Sequence, residues 1–213
     1  MEAPSRRDAI KCLVGTLIPD RLLFANEVES TPNHPSRTQQ NGKAIFSPLL
    51  PHEATLVMLR ETPELLAAIY ESPLVGGAPG EPVLTRWLCL AAAHSRQWVC
   101  PQVSCGVLQP SSAFHPVAVS LEIINGLIEV SEVKLRGNAV QRWAWTDGQW
   151  LLRASSTTAV FHDQFTIREY NAERCSLVVA TGKINGVGFD AVAHQRPSSP
   201  IDLSQQTSAA LVW

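Results

Sequence analysis

His162 and Asp163 stand side by side in the chain, with Ser155 and Ser156 a short way upstream. Histidine, carboxylate and hydroxyl are the types that nucleophilic catalysis uses, the imidazole taking the hydroxyl proton while the carboxylate holds the ring. No Gly-x-Ser-x-Gly elbow presents either serine, however. Adjacent residues on a strand also point to opposite faces, which separates His162 from Asp163. This pattern identifies no catalytic residue. The six histidines, His34, His52, His94, His115, His162 and His194, lack the i, i+4 pairing or close spacing of a metal site, so no metal is expected. Gly182-Lys-Ile-Asn-Gly-Val-Gly188 sets a lysine among glycines, yet it lacks P-loop spacing and precedes a strand instead of the helix that phosphate binding needs. It reads as a hairpin turn at Asn185-Gly186, and no cofactor is expected.

A second constellation is Gln141-Arg-Trp-Ala-Trp-Thr146, Asp147-Gly148, Gln149-Trp-Leu-Leu-Arg-Ala154. Asp-Gly between strand-like runs predicts a two-residue turn, which pairs Trp145 with Trp150 and Trp143 with Leu152. Trp143, Trp145 and Trp150 then share one face. The same register sets Arg142 across from Arg153 on the other face. Two guanidiniums across a ladder attract an anion, or an acidic side chain from elsewhere in the chain. These five residues, Arg142, Trp143, Trp145, Trp150 and Arg153, are the candidate ligand-binding set, although core packing is the commoner role for clustered indoles.

The elements that must position them begin with a first hairpin. Asn125-Gly126 lies between Val117–Ile124 and Leu127–Val130, pairing Ile123 with Ile128 and Leu121 with Val130 on one face. Glu122 and Glu129 fall opposite each other on the other face, to be solvated or bound by a cation or basic partner. Beyond the second hairpin, Ser155–Phe161, Gln164–Tyr170, Cys175–Thr181 and Phe189–Ala193 each read as a strand. Trp98–Leu108 is extended, with Pro101 confining it to an edge or bulge.

Upstream, helices are expected. His52–Ser72 shows helical spacing, and Thr62-Pro63-Glu64 has the form of a helix start, so two short helices are predicted, the second Pro63–Glu71. Glu81–Ala93 is read as a third, on its alanines and few β-branched residues. The predicted fold is α+β: an antiparallel β-meander or partly closed β-barrel over about Trp98–Ala193, with short helices before it. The organisation is an N-terminal segment 1–26, a polar Pro-containing arm 27–50, one domain 51–194 with a helical part 51–94 and a sheet 98–194, and a polar tail 195–213. Gly76–Gly80 is the break between the two parts. The tail ends in apolar Ala209–Trp213, which suggests docking on the chain's own core or on a partner.

The chain has 213 residues, 45% hydrophobic and 17% charged, enough for a sizeable core. Lysine plus arginine number 17 against 19 acidic residues, a net charge of −2 that does not suggest nucleic-acid binding. Five cysteines, Cys12, Cys89, Cys100, Cys105 and Cys175, leave at least one unpaired. They are read as buried or inert thiols, with a Cys100–Cys105 disulfide as the alternative. Ser5-Arg6-Arg7-Asp8-Ala9-Ile10-Lys11 resembles a bacterial twin-arginine export signal, which implies export. The apolar run Cys12–Ile18 ends at Pro19-Asp20-Arg21, and an amphipathic helix on a cytoplasmic protein is the preferred reading. No run is long enough for a transmembrane helix.

Two functions follow as expectations. The first is a non-enzymatic interaction or assembly protein with a protein partner or homo-oligomer, using the sheet, the arm and the tail. The alternative is a small-ligand-binding barrel, or a hydrolase or lyase in one, whose cavity is lined by the tryptophans and whose arginines meet an anionic group.

Overall fold

The computed structural model describes residues 44–73, 83–95, 97–112, 115–184, 186, 188–195 and 201–203, all within the compact unit Pro35–Trp213. The twin-arginine-like segment, most of the arm, the Gly76–Gly80 break, Asn185 and the apolar end Ala209–Trp213 lie outside the described residues.

Two antiparallel sheets account for the strands. The first is five-stranded: β1 (Thr55–Glu61), β2 (Leu65–Pro73), β3 (Val83–His94) and β4 (Gln97–Ser104) in that order, with the short β5 (Ser111–Ser112) also on β3. The second is a seven-stranded meander of β6 (Ala118–Ile124), β7 (Leu127–Lys134), β8 (Gly137–Thr146), β9 (Gln149–Phe161), β10 (Gln164–Asn171), β11 (Ser176–Lys183) and β12 (Phe189–Gln195). Each strand of the meander pairs with the next in sequence, and neither sheet closes into a barrel. The antiparallel meander is therefore present, but it begins at Ala118; the Trp98 region belongs to the other sheet as β4.

A short helical segment over 44–49, ending in the 3-10 turn Ser47–Leu49, precedes β1. The helices expected over His52–Ser72 and Glu81–Ala93 are instead strands β1, β2 and β3. The reason is burial on both faces. Leu65, Ala67 and Ile69 of β2 pack into the core between the sheets, while Leu66, Ala68 and Tyr70 pack under Phe46 on the opposite side. A strand covered twice carries a continuous apolar run, and such a run has no period to separate it from a helix. Thr62 does cap, but it caps a turn. Its Oγ1 accepts the Leu65 N–H at 3.0 Å at the entry to β2.

Both tight hairpins form at the expected residues. Asn125 (φ 51°) with Gly126 (φ 75°) and Asp147 (φ 51°) with Gly148 (φ 83°) hold the left-handed conformation that a two-residue turn demands. Ile123 pairs with Ile128, Leu121 with Val130, Trp145 with Trp150 and Trp143 with Leu152. The faces so aligned meet β2 and β3 in one core containing Leu88, Leu90, Leu121, Ile128, Val130, Trp143, Trp150 and Leu152. Residues 201–203 complete it: the Leu152 N–H donates to the Ile201 carbonyl at 2.9 Å, and Leu203 is wholly buried.

Candidate interaction surface

The ligand-binding set does not assemble as a cavity wall. Trp143 and Trp150 are 0% exposed inside the core, and Trp145 packs on Trp150 with ring centroids 5.3 Å apart. Trp143 Nε1 donates to Gln141 Oε1 at 3.2 Å, and Gln141 Nε2 donates to the Val107 carbonyl at 3.1 Å. That chain of bonds ties β8 to the loop after β4 and makes the indole a structural anchor.

The arginines are not opposite each other. Register jumps from Trp143↔Leu152 to Arg142↔Ala154, leaving Arg153 as the extra residue of a β-bulge. Arg142 instead faces Glu129, with Nε 2.6 Å from Oε2, so an acidic side chain on the neighbouring strand answers the arginine, and Glu129 has a basic partner where solvent alone is the preferred expectation. Arg153 Nη2 donates to Thr146 Oγ1 at 2.8 Å.

The catalytic types also separate. His162 sits at the turn between β9 and β10 with φ 55°, its ring edge-on to Phe161 at 4.3 Å. Ser155 is paired with Tyr170 well back along β9, roughly 20 Å away at the rise of an extended strand. Cys89 is buried, Cys100 and Cys105 are exposed, and all are free thiols, as is Cys175. Burial pushes the Cys89 thiol well above its ordinary range. No helix among the described residues is long and apolar enough to cross a membrane.

A buried charge cluster is not foreseen by the sequence patterns. Arg86 on β3 pairs with Glu71 on β2 at 2.7 Å, both on the face turned towards the second sheet. Glu132 of β7, also buried, accepts the Gln109 N–H at 2.7 Å. Burial raises its carboxyl above the ordinary range, while the Gln109 amide, Lys134 and Arg86 pull it back. The available signal is the alternation of β7, with Ile128, Val130 and Glu132 on one face.

An exposed strand edge lies on the seven-stranded sheet. β12 is one of its two terminal strands, and Asp190, Ala191, Val192, Ala193 and His194 are all exposed. Other edges are blunted. β4 carries Pro101 and a register shift beside Cys100 (φ 47°), β1 has its own irregularity at Leu56/Met58, and β1 lies against β6. Among the described residues, no strand lies beside the outer edge of β12. From sequence alone this is merely a last strand. The signal that marks it is the order of side chains, an acid and a base flanking a small neutral centre.

One end of the same sheet is also unusual. The turns joining β7 to β8, β9 to β10 and β11 to β12 stand in a row, linked by Val160 N–H to Arg136 O at 2.8 Å and Ile184 N–H to Asp163 O at 2.7 Å. Beside the last of them, Gln164, Thr166, Thr181, Lys183 and Asp190 line an open recess of about 650 Å³. No known protein family, curated protein or solved structure matches the chain.

Proposed function

We propose that the chain is an interaction and assembly protein, acting by binding and not by catalysis, and that it pairs with a second copy through β12. One observation carries this reading: the exposed edge runs Asp190-Ala191-Val192-Ala193-His194. Antiparallel pairing of two such strands about Val192 sets each Asp190 opposite the other copy's His194, and each Ala191 opposite an Ala193. The edge is thus complementary to itself. Backbone hydrogen bonds supply attraction, the small side chains permit close approach, and the two acid–base pairs fix the register. Nothing along the strand obstructs this, for it contains neither proline nor lysine.

Light scattering on the full chain tests it. The expected mass is twice the 23.2 kDa of one chain. One substitution, His194→Asp, places like charges opposite each other twice and weakens the dimer about tenfold or more. The exchange Asp190→His with His194→Asp restores it. A monomer at every concentration, or indifference to His194→Asp, would overturn the proposal.

A further inference from the structure

We infer that the row of hairpin tips at the β7–β8, β9–β10 and β11–β12 end of the seven-stranded sheet docks on an anionic lipid bilayer. Each tip projects a large apolar side chain into solvent: Leu135 is 87% exposed, Phe161 65% and Ile184 51%, with Val133 beside them at 55%. The hydrogen bonds between neighbouring tips hold them in line. With strands about 4.8 Å apart, successive tips stand roughly 10 Å apart.

Cations accompany them. Arg136 follows Leu135 and Lys183 precedes Ile184, while the half-buried Lys134 is engaged with the Glu132 carboxylate; against them stand Asp163, the carboxylate of the β9–β10 turn, and Asp190 within β12. The opposite end of the sheet provides the internal comparison. Its turns are Asn125-Gly126, Asp147-Gly148 and the segment with Glu173 and Arg174, polar residues that solvent-exposed turns favour, with Ile124, 42% exposed, at the strand end before the first of them. Turn geometry alone gives no reason for leucine and isoleucine in the turns of the other end, where Phe161, ending β9, is also more exposed than Ile124.

The arrangement fits a bilayer better than a protein. Protein interfaces concentrate apolar area in a contiguous patch from which lysine is depleted. Here the apolar groups are separated and interleaved with cations, as interfacial anchoring requires: side chains enter the headgroup–acyl boundary while lysine and arginine meet anionic headgroups. A second copy placed tip to tip would oppose cation to cation.

Cosedimentation of the full chain with vesicles tests this, using phosphatidylcholine alone and phosphatidylcholine mixed with phosphatidylglycerol. Binding to the mixed vesicles is expected, weakening with salt. Arg136→Gln with Lys183→Gln should lower partitioning about 25-fold, at about fivefold per cation. Leu135→Ser with Phe161→Ser should abolish it, and Arg174→Gln at the opposite end should leave it unchanged. Leu135→Ser alone, at the most exposed site, should also lower it and guards against a double variant that fails to fold. Equal binding to neutral and anionic vesicles, no binding to either, or tip variants that leave binding intact would each refute the inference. So would tip variants whose effect is on the mass in light scattering, which would assign the tips to a protein contact.

Discussion

The carboxylate of Glu132 is buried between the sheets, and desolvation outweighs the help of the Gln109 amide, Lys134 and Arg86, so the folded state binds the proton more tightly than the unfolded chain does. The charged form therefore opposes folding above the raised pKa, and the opposition fades as pH falls through it. Glu132→Gln retains an acceptor for the Gln109 N–H without the charge. Its melting temperature should exceed that of the unaltered protein at neutral pH, and the gap should close on acidification. A lower melting temperature at neutral pH would mean that the attraction of Arg86 outweighs desolvation. Single residues are legible in the sequence where a turn fixes the register, as at Trp143, Trp145 and Trp150. Arg153 is not, because a bulge inserts one residue and no local pattern announces it.

Hairpins are the most legible elements, since Asn-Gly and Asp-Gly dictate backbone conformation within four residues. β2 and β3 are the least, because their two-sided burial depends on what packs over them, Phe46 on one side and the meander on the other. Gly137 illustrates a constraint that acts between elements. A β-carbon there would run into the carbonyl oxygen of Thr158 on β9, so β8 can begin where it does only with glycine. Gly137→Ala should cost about 2 kcal/mol, read as a lower denaturation midpoint. An unchanged midpoint would mean that β8 and β9 can separate at this end without loss.

At the scale of the whole molecule, the two sheets bury one set of large side chains against each other, a second set packs under Phe46, and distinct surfaces stay exposed among the described residues. The meander's side of the core is legible from the alternation in β6 to β9. Its partner face is not, because the continuous apolar runs of β2 and β3 suit a helix equally well. Surfaces are harder to read from sequence than cores. An edge becomes recognisable only once strand order is known, and hairpin tips gather in a row only once the meander is laid out. The acid and base that flank the centre of β12 have meaning because that strand is last in its sheet.

The claim that β12 is an assembly edge is tested most directly by amide hydrogen exchange across β12 at low and high protein concentration. Antiparallel pairing with a second copy predicts that alternate amides between Asp190 and His194, those directed away from β11, become protected as concentration rises. If those amides exchange at one fast rate throughout, the edge is unpaired and the assembly reading is contradicted.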